Sequence, residues 1–389
     1  MDDVLIPAPL EAARALAPGL RALSPQIELQ RRLPDAIVAT LSDQGLLQMS
    51  VARDLGGPEV DLATQLQVIE ALAGADAAVG WCVMIASTTA LVGSYLEEPS
   101  AREIYARDPR VVTCGVYAPR GRAVAAPGGY RVTGRWPFAS GCEHSAWRLG
   151  GAIVHEEGRP RVLADGKPDF RLMFFPAADT EVIDTWSVSG LCGTGSHDLA
   201  VRDAFVPAGR TLSPFADRPL RGGRTASFPL FGFLALEVAA VALGIARASI
   251  DALVALASEK VPAGGRRTLG QRSAVQSDVA RAEVLARSAR ALLFSAVDEV
   301  WAVAAPGVPT PLPLRASLRL AATNAVLSSA QAVDLMYSAG GGTSIYDTSP
   351  LQRHFRDIHV LTQHAMVAPP TYEAVGRQLL GLEADASEL

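Results

Sequence analysis

In GRWPFASG, aromatic and hydroxyl side chains recur at every second position as Trp136, Phe138 and Ser140. Alternate side chains of a strand share a face, so this spacing predicts two aromatic walls and a hydroxyl converging on one site. Such a face suits a flat ring system, with Trp186 a further candidate for the wall. Downstream, GTGSHD sets Gly193 and Gly195 beside Thr194, Ser196 and the carboxylate of Asp198. Glycines there would let backbone donors approach a planar ligand closely; a plain strand-to-strand turn is the competing account. A third glycine segment, Gly340, Gly341 and Gly342, exposes N–H groups that a phosphate or cofactor edge could meet, or simply links two helices. His364 lies in IHVLTQHAMV, a window after Arg356-Asp357 that contains no acid. Its imidazole can donate a hydrogen bond or take a proton near neutral pH. His144 either turns toward the pocket of Ser140 or packs at a strand end.

These residues need a scaffold, and the texture of the chain changes twice along its length. From Leu10 to about Tyr95 apolar residues recur at helical spacing, as in Leu62, Leu66, Ile69 and Leu72. From about Val111 to Pro207 short alternating runs bounded by Gly, Pro and Asp read as strands. An alanine-rich helical block follows, broken at VPAGGRR, AAPGVPTPLP and SAGGGTSIYDTSP. The pattern predicts an α+β architecture: an N-terminal helical domain over 1–108, a central antiparallel β-domain over 109–215, and a C-terminal four-helix bundle over 216–389. A ligand is expected where loops of sheet and bundle meet.

Composition narrows the function. With 35 Lys+Arg against 40 Asp+Glu in 389 residues, the net charge of -5 excludes a polybasic nucleic-acid binder. The acidic N-terminus, with Asp2 and Asp3, is unlike a secretory signal, so the expected location is cytoplasmic. The apolar run Phe228 to Ile245 is interrupted by Glu237, which favours a core helix over a membrane span. Four cysteines without a CxxC pair suggest buried thiols, and no histidine spacing supports a metal site. GxGxxG, GxSxG, HExxH and P-loop patterns are missing, so a nicotinamide would have to act on a separate protein.

At GRWPFASGCEHSAW and DTWSVSGLCGTGSHDLAV the sequence resembles the acyl-CoA dehydrogenase superfamily. The resemblance extends to GADAAVGW and SPLQRHFRDIHVLTQH, covering nearly the whole chain, and is closest to the two-component, reduced-flavin-dependent monooxygenases. That branch includes the oxygenase components of p-hydroxyphenylacetate hydroxylase, dibenzothiophene monooxygenase and indole hydroxylases. It implies an acyl-CoA dehydrogenase-like fold, a homotetramer built as a dimer of dimers, and reduced FAD or FMN as cofactor, FADH2 favoured. It also implies that Ser140 meets flavin N5, and that Arg266, Gln276 and the Gly340–Gly342 turn contact flavin across a subunit interface. Where dehydrogenases carry a glutamate base after the Arg-Asp pair, this chain offers His364. Trp81 and Thr89 fall at substrate-binding positions, Thr89 standing where several aromatic hydroxylases have a second histidine.

The function implied is hydroxylation of a small aromatic or heteroaromatic molecule by O2 through a flavin C4a-hydroperoxide, fed by a separate NAD(P)H:flavin reductase. Nitrogen or sulphur oxygenation is a variant of the same chemistry. The rivals are an FAD-dependent acyl-CoA dehydrogenase or desaturase borrowing Glu237 or Asp198 as base, and a flavin-free binding subunit.

Overall fold

The computed structural model describes residues 8–382 and Leu389; the acidic N-terminal residues Asp2 and Asp3 lie outside them. The chain opens with helices α1 (Pro9–Gln30), α2 (Asp35–Asp43), α3 (Leu62–Ala73), α4 (Ala77–Val92) and the short α5 (Glu98–Ala101). Two of these starts are written in the sequence. Asp61 caps α3 through Thr64 N, and Asp76 caps α4 through Ala78 N and Val79 N, each carboxylate accepting otherwise orphaned helix N–H groups.

Eight strands follow: β1 (Thr113–Ala126), β2 (Gly129–Trp136), β3 (Trp147–Glu156), β4 (Arg159–Pro160), β5 (Phe170–Pro176), β6 (Glu181–Ile183), β7 (Asp198–Pro207) and β8 (Thr211–Leu212). They form one sheet in the order β6-β7-β2-β1-β3-β5-β8, with β4 paired to β3. Pairing is antiparallel as expected, except that β1 and β3 run parallel. The reason is topological: β2 turns back from β1, and the segment 137–146 then crosses to the other side of β1 before β3 starts. That crossing segment carries Ser140.

The chain closes with α6 (Leu230–Glu259), α7 (Ser273–Val303), α8 (Leu312–Gly340), α9 (Pro350–Leu361) and α10 (Pro370–Leu379). Helices α6 and α8 are apolar and alanine-rich, and small side chains let them pack closely against each other and α7. Helix α6 is long and apolar enough to cross a membrane, yet most of it is buried inside the protein, as is α4. It also packs on α3, α4 and α9, so it joins the N-terminal helices to the C-terminal ones.

Candidate functional site

Helix α4 brings Trp81 to the crossing segment of the sheet. Its indole Nε1 donates to Ser140 Oγ at 2.9 Å. Ser140 Oγ lies 2.6 Å from Ser196 Oγ, which lies 2.6 Å from Thr194 Oγ1, and Thr194 Oγ1 donates to the Leu191 carbonyl at 2.8 Å. Backbone bonds hold the two loops together: Ala139 N donates to His197 O at 3.0 Å, and Gly141 N to Thr194 O at 2.9 Å. His364 also meets Trp81, the two rings edge-on with centroids 5.5 Å apart. Residues far apart in sequence, Trp81, Ser140, Thr194, Ser196 and His364, thus form one cluster.

His364 caps a short turn, its Nδ1 accepting from Met366 N at 3.4 Å. Burial, with a smaller contribution from the positive charge of Arg319, pushes its pKa down to about 4. The ring is therefore neutral at pH 7. With Nδ1 committed as acceptor, its proton sits on Nε2, and the imidazole acts as a hydrogen-bond donor.

Loop 189–191 is clasped by the Arg-Asp pair. Asp357 Oδ1 accepts from Leu191 N at 2.6 Å, and Arg356 Nη1 donates to Ser189 O at 2.5 Å. Leu191 has φ 52°, a left-handed conformation that costs a branched side chain energy and marks the loop as held by its surroundings. Phe138 has φ 68°; the residue is 66% exposed and its ring meets Trp186 edge-on, centroids 6.1 Å apart.

Several expectations need correction. Trp136, Phe138 and Ser140 do not share a face. β2 ends at Trp136, and the left-handed Phe138 turns the chain. Trp136 is fully buried within the sheet, donating to Gly151 O at 2.7 Å. Gly121, Gly134 and Gly150 make its slot, since a Cβ on any of them would lie 2.6–2.7 Å from the indole. Trp136 is thus a core residue with no face left for a ligand. Gly193 is likewise a packing glycine: a Cβ there would lie 2.2 Å from Ile27 Cγ2 of α1. Gly195 is left-handed and stacks over the Arg31 carbonyl rather than an open surface.

Thr89 is tied into the helix–sheet junction, its Oγ1 within 2.8–2.9 Å of Ile85 O, Thr113 O and Thr113 Oγ1. It leaves no free hydroxyl for a substrate. His144 packs between the Gly141 turn and the charges of Arg32 and Asp35, and burial pushes its pKa to about 4. No hydrogen bond joins it to Ser140. Gly340 is also filled, a Cβ there lying 2.2 Å from Ser344 Oγ. Gly341, Gly342, Arg266 and Gln276 lie on an exposed edge, and Lys260 Nζ donates to Gly340 O there at 2.7 Å. Nothing within the described chain bonds this edge to Ser140.

The borrowed bases do not reach the cluster. Asp198 pairs with Arg135 at 2.6 Å. Glu237 is fully buried on α6, bonded at 2.8 Å to each of Ser87 Oγ and Thr88 Oγ1, and desolvation raises its pKa to about 8. Among the described residues, no hydrogen bond or ion pair links a carboxylate to Trp81, Ser140 or His364, and no group of metal-ligating side chains occurs. The sequence offered Glu237 as an interruption of an apolar run and as a base for the rival dehydrogenase reading, not as the centre of a buried polar network. Its network with Ser50, Gln65, Ser87 and Thr88 joins four segments that nothing in the sequence connects.

The donor set fits a flavin ring. The buried hydroxyl of Ser140, the neutral imidazole, and the exposed Phe138 beside Trp186 suit a planar, partly apolar heterocycle rather than a metal or an acyl thioester. Comparison with known proteins agrees. Residues 11–98 match the acyl-CoA dehydrogenase N-terminal domain, and residues 236–369 the acyl-CoA dehydrogenase C-terminal domain. Indole-3-acetate monooxygenase of Pseudomonas putida is 31% identical over 98% of both chains. The oxygenase subunit HsaA, a flavin-dependent monooxygenase of Mycobacterium tuberculosis, is 31% identical over 96% of this chain and 95% of its own. XiaF from a Streptomyces species, solved with FADH2 and glycerol, superposes with a TM-score of 0.87 at 28% identity over 97% of this chain and 96% of its own. The chain therefore belongs to the acyl-CoA dehydrogenase superfamily, within its branch of reduced-flavin-dependent monooxygenases.

Proposed function

We propose that this enzyme inserts one oxygen atom of O2 into a small aromatic or heteroaromatic ring of the phenol or indole kind, and that FADH2 is delivered by a separate NAD(P)H:flavin reductase. The carrying observation is His364, a neutral imidazole standing against Trp81, which itself bonds Ser140, with no carboxylate among the described residues bonded to any of the three. A dehydrogenase needs a base for a weakly acidic carbon-bound proton, and a neutral N–H donor cannot supply it.

In this reading Ser140 meets N5 of the flavin, with Phe138 and Trp186 beside the ring edge. Thr194 and Ser196 act behind Ser140. Reduced flavin, when bound, supplies the electrons that activate O2. The protein's part is placement. Trp81 and the apolar residues of α4 keep water out, and His364 Nε2–H donates to an oxygen of the substrate or of activated O2, stabilising charge that builds there. The exposed edge of Arg266, Gln276, Gly341 and Gly342 is completed by a neighbouring copy in a homotetramer. That all four are exposed at the surface supports this reading. The net negative charge and the burial of both long apolar helices favour a cytoplasmic enzyme.

The test is isotopic. With a flavin reductase, NADH, FAD and 18O2, a panel of phenols and indoles is expected to give a product carrying one 18O atom. Release of hydrogen peroxide alone across the panel, or anaerobic bleaching of bound FAD by an acyl-CoA, would refute the proposal.

A further inference from the structure

The hydroxyl series behind the site has a direction. It runs from the indole of Trp81 through Ser140, Ser196 and Thr194 to the carbonyl of Leu191, with successive separations of 2.9, 2.6, 2.6 and 2.8 Å. Its two ends have fixed roles, because an indole N–H can only donate and a carbonyl oxygen can only accept. Each hydroxyl between them carries one proton. Thr194 must place its proton toward the carbonyl, since two bare oxygens at that separation would repel. Thr194 Oγ1 then receives the proton of Ser196, and Ser196 receives that of Ser140. Ser140 is left accepting from Trp81 and donating to Ser196, with one lone pair unused and no proton to give. All four side chains are buried, so bulk water does not relax the pattern.

We infer that Trp81, Ser196 and Thr194 are positioning residues that fix Ser140 as a hydrogen-bond acceptor, so that the site selects reduced over oxidised flavin. The inference rests on the proposed placing of Ser140 at N5. That nitrogen carries a hydrogen in the reduced ring and only a lone pair in the oxidised one. An acceptor therefore meets a donor in the first state and a repelling lone pair in the second. The device suits an oxygenase that collects reduced flavin from another protein and must release it once oxidised.

Anaerobic calorimetry on the full-length protein, with dithionite-reduced FAD and separately with oxidised FAD, tests the idea. Wild type is expected to bind the reduced form at least about tenfold more tightly, a difference of hydrogen-bond size. In Thr194→Val the end of the series is lost, Ser196 turns toward Ser140, and the Ser140 proton is freed to face the ring. The ratio of oxidised to reduced dissociation constants should then fall by roughly fivefold or more. Thr194→Ser keeps the hydroxyl and should restore the wild-type ratio, and Ser140→Ala should abolish the preference. A merely structural role would weaken both redox forms alike and leave the ratio unmoved. Equal wild-type affinities, an unchanged ratio in Thr194→Val, or a preference that survives Ser140→Ala would overturn the inference while leaving a flavin site in place. Failure to bind either form would overturn the flavin-site reading and this inference with it.

Discussion

In the proposed function His364 acts as a donor, which separates it from the acid–base role its type first suggests. Its pKa of about 4 keeps it neutral above pH 5, so product formation should show no histidine ionisation between about pH 5 and 8. His364→Ala is expected to lower product formed per NADH consumed by about 100-fold. His364→Gln, which keeps an N–H donor, should retain clearly more. Equal loss in both variants, or a rate that rises with a pKa near 6.5, would show that a titrating base is at work. Ser140 and His364 stood out in the sequence as a hydroxyl after two aromatics and a histidine in an acid-free window, and the fold brings both to Trp81. The direction of the hydroxyl series was not legible, since it depends on Trp81 and Leu191, which the fold alone brings together.

Elements explain where the pattern misled. Strand spacing placed Trp136 with Ser140, but the period tells only which residues alternate, not where a strand ends. The glycine slot of β1, β2 and β3 claims Trp136 first. Helix α4 shows the same limit. Trp81 and Thr88 lie on one stripe, two turns apart, whereas Thr89 is rotated about 100° toward β1 and bonds to Thr113. Gly193 gives the corresponding prediction. Gly193→Ala would drive the loop off Ile27, destabilising the protein by about 1–3 kcal/mol and weakening flavin binding. Adding Ile27→Ala should recover flavin affinity in part, although it opens a cavity of its own. Denaturant melts with flavin titration on the single and double variants check this; no coupling between the two positions would contradict the packing account. Asp76→Ala should cost about 1–2 kcal/mol through loss of the α4 cap, read from the same melts.

At the scale of the whole molecule, buried titrating groups make stability depend on pH in two opposed ways. His144, His354 and His364 have pKa values held to about 4, 3 and 4, chiefly by burial. The unfolded chain protonates its histidines near about 6.5, so these three make stability rise with pH between about 4 and 6.5. Glu237 and Asp357 are raised by burial to about 8 and about 7. The native state keeps protons that the unfolded chain gives up near about pH 4, so their contribution is full below that and is lost as pH rises through about 7–8. The two groups of effects oppose each other up to about pH 6.5, and only the acids act above it. Unfolding free energy by denaturant should therefore fall between about pH 6.5 and 8, and Glu237→Gln should flatten that fall by about 1–2 kcal/mol. An unchanged slope in the variant would mean that Glu237 is ionised in the folded protein. The α+β order and the sheet within it were legible from periodicity and turn residues, while the bridging of N- and C-terminal helices by α6 emerges only from packing. The central claim is that Trp81, Ser140 and His364 form the reaction centre. A crystal structure of the protein with reduced flavin and an aromatic substrate tests it most directly. The account predicts flavin N5 within hydrogen-bond distance of Ser140 Oγ and the substrate within reach of His364 Nε2. A flavin ring seated elsewhere, or an aspartate or glutamate facing the substrate in place of His364, would contradict it.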